Sequence, residues 1–183
     1  MKDLSLHILD IVQNSIRANA GRISVGLNIG DDNFLTLVVN DDGSGMNIEQ
    51  AARVKDPFFS TRTTRKIGLG VPLLLQKAEQ CGGSLSVSSA PGNGTEVRAS
   101  FLTTHPDCPP MGDIPECAWM LMVSNPDKRL IFNFISASEE WDWDSLQIRE
   151  ALGEVPLSEK SVRASLLNWF QLDFSNFKGN IKT

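Results

Sequence analysis

Cysteine, histidine and long apolar runs are all scarce in this 183-residue chain. Its three cysteines, Cys81, Cys108 and Cys117, contain no CxxC pair. That excludes a disulfide framework and a zinc ribbon, and reads as reduced thiols in a cytoplasmic protein. The longest apolar run, Ala118 to Val123, falls far short of the ~20 residues that cross a bilayer, so no membrane partner is expected. No apolar stretch follows Lys2 and Asp3 as a secretory leader requires. There is no internal repeat and no low-complexity tract. A Walker-type phosphate loop is also missing, because neither GxxxxGKS nor GxxxxGKT occurs.

What is present describes a globular chain with a sizeable core. Hydrophobic residues make up 41% and charged residues 21%, unlike collagen, a coiled coil or a disordered chain. Charge then separates two regions. Through Thr104 ten basic residues balance ten acidic ones, whereas from His105 onward seven face twelve and carry the whole formal charge of -5. That balance gives no reason to expect nucleic acid as a partner. All four tryptophans (Trp119, Trp141, Trp143, Trp169) lie beyond residue 104. Between the regions, His105 to Pro115 holds four prolines and a glycine, a linker composition. The expected organisation is one domain over 1–104, a proline-rich linker over 105–115 and a small α+β module over 116–183.

Periodicity supplies the elements. Leu4 to Ala20 reads as a helix with Leu9, Val12 and Ile16 on one apolar face and Gly21 as its stop. On the same helix His7, Asp10, Asn14 and Arg17 fall within a stripe of about 80°. Ile23, Val25, Leu27 and Ile29 alternate as a half-buried strand, and Phe34 to Asn40 is its hairpin partner. Asn47 can cap a short helix through Val54. Phe58 to Ile67 is a loop rich in hydroxyls and bases, Val71 to Gln80 a helix, and Ser84–Ser89 with Thr95–Leu102 a second strand pair. The order implies a mixed, mostly antiparallel sheet with helices on one face, an α/β sandwich of two layers. Beyond the linker, Trp119–Val123 and Leu130–Ile135 read as a strand pair. Helices follow near Asp144–Leu152 and Ser158–Phe170, the latter with Ser158 as its cap.

Three constellations carry chemistry. Asp10, Asn14 and Arg17 set a carboxylate, an amide oxygen and a guanidinium on one helix face; such oxygens suit Mg²⁺, and the carboxylate can serve an attacking water. The bland alternative is a solvated helix face. Asp41-Asp42-Gly43-Ser44-Gly45 follows a buried strand, where a carboxylate can receive an exocyclic amine and glycines admit a flat ligand; an acidic turn is the alternative. Gly68-Leu69-Gly70 opens a helix whose free N–H groups can cradle phosphate, with Arg62, Arg65 and Lys66 just before it. Trp141-Asp142-Trp143 reads as a partner-contact patch or as part of a small core.

Taken together, in order and spacing, LDIVQNSIRANA (Leu9 to Ala20), VNDDGSGM (Val39 to Met46), DPFFSTR (Asp56 to Arg62), GLG (Gly68 to Gly70), Gly82-Gly83 and PGNGT (Pro91 to Thr95) resemble the histidine-kinase-like ATPase family. Its members include sensor kinases, gyrase, mismatch-repair ATPases and heat-shock chaperones. The likeness spans roughly residues 1 to 104 and implies the Bergerat ATP-binding fold with ATP and Mg²⁺ as cofactors. It implies that Asn14 ligates Mg²⁺, that Asp10 polarises water and that Arg17 meets phosphate, to which Arg62 and Lys66 of the loop can add positive charge. Asp41 would take the adenine amine beside Gly43 and Gly45, with Thr95 helping from the neighbouring strand. Gly68, Leu69 and Gly70 would contact phosphates from a lid anchored by Phe58 and Phe59.

Departures from the family pattern narrow the function. The lid is short, Pro72 stiffens the helix behind it, and no helical pair bearing a phosphoacceptor histidine precedes the first box. His7 lies one turn from Asp10 on the same helix, which leaves it little freedom for in-line attack and favours a structural role. The expected function is a stand-alone cytoplasmic regulatory module that binds Mg-ATP. It would act as an ATPase switch, as a kinase acting in trans, or as a non-catalytic binding module. The acidic, tryptophan-bearing C-terminal part is expected to face a protein partner.

Overall fold

The computed structural model describes residues 3–30, 32–56, 69–137 and 139–180. In chain order these form α1 (Leu4–Arg17), β1 (Arg22–Ile29), β2 (Phe34–Asp41), α2 (Ile48–Arg53), α3 (Gly70–Gln80), β3 (Leu85–Ser89), β4 (Thr95–Leu102), α4 (Ile114–Ser124), β5 (Arg129–Ile135), β6 (Glu140–Asp144), α5 (Ser145–Leu152) and α6 (Lys160–Gly179). The strands make one sheet in the order β3-β4-β2-β1-β5-β6. Neighbours are antiparallel except β1 and β5, which run parallel. The mixed, mostly antiparallel sheet under a helical layer is the expected α/β sandwich.

Alternation along the strands explains the layering. On β1, Val25 and Leu27 stand opposite Val39 and Leu37 of β2 and opposite Phe132 and Phe134 of β5. All of these side chains are buried. Polar side chains fall among the intervening positions, with Asn28, Asn40, Ser86 and Arg98 exposed on the far face. The face of α1 turned to this core is Leu4, Ile8, Ile11, Val12 and Ser15; Leu9 and Ile16, expected to share one apolar face with Val12, are half-buried against it. A single core cluster runs from α1 through the sheet to Phe177 of α6.

The region after residue 104 differs from the sequence reading in several elements. Trp119–Val123 is not a strand but part of α4. Asp113 caps that helix, its side chain accepting from the Glu116 N–H at 3.0 Å, and Pro115 lies in its first turn. An unbroken apolar run suits a buried helix as well as a buried strand. The hairpin partner of β5 is instead β6. Ser158 is not a cap: α6 starts at Lys160, has Glu159 at its N-cap without a side-chain bond, and extends to Gly179.

These elements do not build a sheet of their own. β5 pairs with β1 from Arg22↔Arg129 to Asn28↔Ile135 and so extends the N-terminal sheet. The proline-rich segment is also tied down, since the carbonyls of Pro110 and Met111 accept from Leu4 and Ser5 N–H at 2.9 and 3.0 Å. Together with Asp3, whose carboxylate accepts from Leu6 N–H at 3.1 Å, they satisfy three of the four donors a helix N-terminus leaves free. Trp143 is fully buried, stacks on Phe170 at 4.1 Å between ring centroids, and donates its Nε1–H to Asp173 at 3.0 Å. Trp141 meets Phe177 edge-on. Trp143 belongs to the core and Trp141 packs half-buried against it, so the pair does not form an exposed patch.

Candidate functional site

The C-terminal half of α1, the end of β2 and the N-terminus of α3 converge at one end of the sheet. Helix α1 closes at Ala18, with Asn19 in the left-handed region (φ 59), two residues before the expected stop at Gly21. The Ala18 carbonyl then accepts from Ser44 N–H at 2.8 Å, so the loop leaving β2 is stitched to the helix end.

The two aspartates of that loop have different tasks. Asp42 points back to the chain entering β1, where Oδ1 accepts from Gly21 N–H at 2.7 Å and Arg22 N–H at 2.9 Å. The bond from Arg22, then that from Gly21, holds its carboxyl below the usual carboxylate range. It is a structural tie. Asp41 is buried, at 8% exposure. Its Oδ2 accepts from Ser15 Oγ at 2.6 Å and its Oδ1 from Gly43 N–H at 2.9 Å. Each oxygen therefore holds one protein donor and keeps a lone pair available.

The glycines here are demanded by protein contacts. A Cβ on Gly43 would stand 2.8 Å from the Ala18 carbonyl oxygen. Gly45 takes φ +66, and a Cβ there would overlap the Ala90 carbonyl, so the loop docks on the β3–β4 turn. Gly92 N–H donates to Ser44 O at 2.8 Å across the same contact. Thr95 stands directly opposite Asp41 on β4, and its hydroxyl pairs with Ser89 Oγ at 2.9 Å. Ser89 also accepts from Met46 N–H at 2.9 Å, which pins the loop to β3.

Asp10 and Asn14 are half-buried and Arg17 is exposed on α1. A Cβ on Gly70 would overlap Asp10 Oδ2, so the start of α3 closes directly on that carboxylate, and a larger residue there would make the Asp10 side chain move. The N-cap position of α3 is Leu69, 44% exposed, with no side-chain cap bond. The structure thus brings Gly70 to Asp10 of α1, and sets Asp41, which is bonded to Ser15 of the same helix, beside Gly43 and Thr95. Arg62, Lys66 and Gly68, with the anchors Phe58 and Phe59, lie outside the described residues.

His7 is buried at 1% exposure, and its Nδ1 has no hydrogen-bond partner. Burial pushes its pKa down to about 4, which suits a structural residue at neutral pH. Burial likewise raises the thiols of Cys81 and Cys108, and pushes Cys117 to about 12. None of the three is set up as a thiolate nucleophile. Among the described residues no group of three or more His, Cys, Asp and Glu could hold a metal by itself, and no helix is long and apolar enough to cross a membrane. Two contributors escaped the sequence reading: Ser15, which holds Asp41, and Ser89, which holds Met46. Ser15 left a signal, a hydroxyl on the apolar face of an amphipathic helix, where a buried polar group requires a partner.

Comparisons with known proteins point to one family. A family model described as histidine kinase-, DNA gyrase B-, and HSP90-like ATPase matches residues 2–105. The sensor histidine kinase YxdK of Bacillus subtilis (strain 168) is 32% identical over 108 residues, 56% of this chain and 33% of that protein. The sensor histidine kinase ZraS of Klebsiella oxytoca is 34% identical over 89 residues, 48% of this chain and 19% of that protein. The chain thus spans a third or less of these two relatives. A solved N-terminal domain of a DNA repair protein covers 91% of this chain and 57% of that chain, with a TM-score of 0.53 and 14% identity, a likeness of fold alone. With the family model matching more than half of its length, this chain belongs to the histidine kinase-, DNA gyrase B- and HSP90-like ATPases.

Proposed function

We propose that the chain binds Mg-ATP as a cytoplasmic regulatory module and either hydrolyses it or passes the γ-phosphoryl group in trans to a separate protein. The observation that carries this reading is Asp41: a buried carboxylate at a strand end, with each oxygen held by one protein donor and a lone pair left over. It would accept the exocyclic amine of adenine, with Thr95 beside it. The donor set suits Mg²⁺, a cation that takes one or two protein oxygens and fills its shell with phosphate and water. Asn14 offers an amide oxygen, and Asp10 offers a carboxylate one turn away. Bound there, Mg²⁺ would neutralise phosphate charge. The uncapped N-terminus of α3 presents N–H groups to the phosphates, Arg17 adds a cation at the rim, and Asp10 orients a water. Arg62, Lys66, Gly68 and Leu69 complete the phosphate contacts in this reading.

A second reading is a non-catalytic switch. It is favoured by α1, which carries the site and is also bonded to Pro110 and Met111 and packed on α4. Nucleotide occupancy would then be felt in the C-terminal part, whose large exposed apolar side chains include Trp169 and Leu172 on α6 as contacts for a protein partner. Incubation with γ-labelled ATP, followed separately as released phosphate and as label on protein, separates the two. Label release or transfer that disappears in Asp10→Asn supports turnover; tight binding without either supports the switch. Failure to bind ATP overturns both.

A further inference from the structure

We infer that Ser15 is a positioning residue for base recognition, fixing the Asp41 carboxylate so that the site selects a 6-aminopurine. This rests on the proposal that Asp41 meets the base. Ser15 sits on the buried face of α1 at 3% exposure, the position after Asn14. A serine in a helix normally returns its hydroxyl to the carbonyl four residues back. Here Oγ stands 3.5 Å from Ile11 O but 2.6 Å from Asp41 Oδ2. The single hydroxyl proton therefore goes to the carboxylate, in the length range of strong O–H···O⁻ bonds.

The consequence concerns direction. With Ser15 donating to Oδ2 and Gly43 N–H donating to Oδ1, the carboxylate plane is fixed from two sides, one bond from the helix and one from its own loop. The lone pairs that remain can only accept. A base edge with an N–H donor at position 6 is matched, and one with a carbonyl there meets acceptor against acceptor. Without the Ser15 bond the carboxylate keeps only the local tie to Gly43 and is free to rotate about χ1 and χ2. Because the same helix carries Asn14, the bond also sets the base-binding group in register with the residues offered to phosphate.

The test uses the full chain and two ligands, Mg-ATP and the triphosphate of purine riboside, which differs in lacking the exocyclic amine. Affinities are measured by calorimetry for wild type, Ser15→Ala, Ser15→Cys and Ser15→Thr, with melting curves to confirm folding. Wild type should prefer ATP. Ser15→Ala should lose about tenfold for ATP, the scale of one hydrogen bond to a charged group, and less than twofold for the amine-free analogue. Ser15→Cys, close in volume but a weak donor, should repeat this pattern and carries the test if the alanine variant fails to fold. Ser15→Thr, which keeps the hydroxyl, should restore the preference. Equal losses for both ligands, or a preference retained in Ser15→Ala, would overturn the role of Ser15 while leaving that of Asp41 intact. A wild type that binds both ligands equally would overturn the role of Asp41 itself, and the inference with it.

Discussion

Removing residues 113–183 is the most informative perturbation of the fold. A detachable module would leave 1–112 stable, but the register argues otherwise. The cut strips β5 from β1 along the whole pairing and takes Leu130, Phe132 and Phe134 away from Ile23, Val25 and Leu27. All six side chains are buried. Truncating a large buried side chain costs about 2–5 kcal/mol, so losing three amounts to about 6–15 kcal/mol. Water can enter along the opened edge, which favours the lower end, and removal of α4 from α1 adds to it. That already matches the net stability of an ordinary domain, about 5–15 kcal/mol. Fragment 1–112 should therefore be insoluble or lack a cooperative melt, and should bind no ATP. A soluble fragment that melts near the full-chain temperature and binds ATP as well as the full chain would refute the reasoning.

Asp41→Asn replaces an acceptor with a donor at the position assigned to the adenine amine and should weaken ATP by about 1.5–3 kcal/mol by calorimetry. Asn14→Ala should reduce the Mg²⁺-dependent part of nucleotide affinity and leave metal-free binding nearly unchanged; a full Mg²⁺ response in that variant would return the stripe on α1 to a solvated helix face. Trp143→Ala removes a fully buried ring stacked on Phe170 and should cost about 3–5 kcal/mol in chemical denaturation. His7 is buried neutral with its pKa depressed to about 4, so the unfolded chain binds its proton first as pH falls. Its contribution is complete above about 6.5 and is lost between there and about 4, amounting to about 3 kcal/mol. Asp3 and Asp10 favour the charged form, and Lys77 and the N-terminus oppose it. Denaturation at pH 7 and pH 5 should show a pH slope that His7→Leu flattens.

The N-terminal half was legible because its signals are local. Strict alternation at Ile23, Val25, Leu27 and Ile29 fixes a strand by itself, and Asn47 with Gln50 forms the capping box of α2 as its residue types allow. What misled was a short apolar run without period. Residues 119–123 read as strand although Asp113 and Pro115, six and four positions upstream of Trp119, are a helix start. Helix α6 was cut short at 170 although Phe170, Phe174 and Phe177 keep helical spacing. The parallel pairing of β1 with β5 joins residues about a hundred positions apart, and no local pattern announces such a contact. At the site, the Asp41-Asp42 pair stood out because it lies at a strand end before glycines, and the family resemblance assigned the base to Asp41. The difference in task between Asp41 and Asp42 was not visible, since it depends on which side chain the pleat turns inward.

The central claim is that the site at the end of β2 holds the base of ATP through Asp41. Its most direct test is a calorimetric titration of the full chain with ATP and with GTP, both with Mg²⁺. ATP should saturate one site per chain, with GTP at least about tenfold weaker, as expected when a carboxylate faces a carbonyl in place of an amine. Equal affinities for the two nucleotides, or no binding of either, would contradict the account.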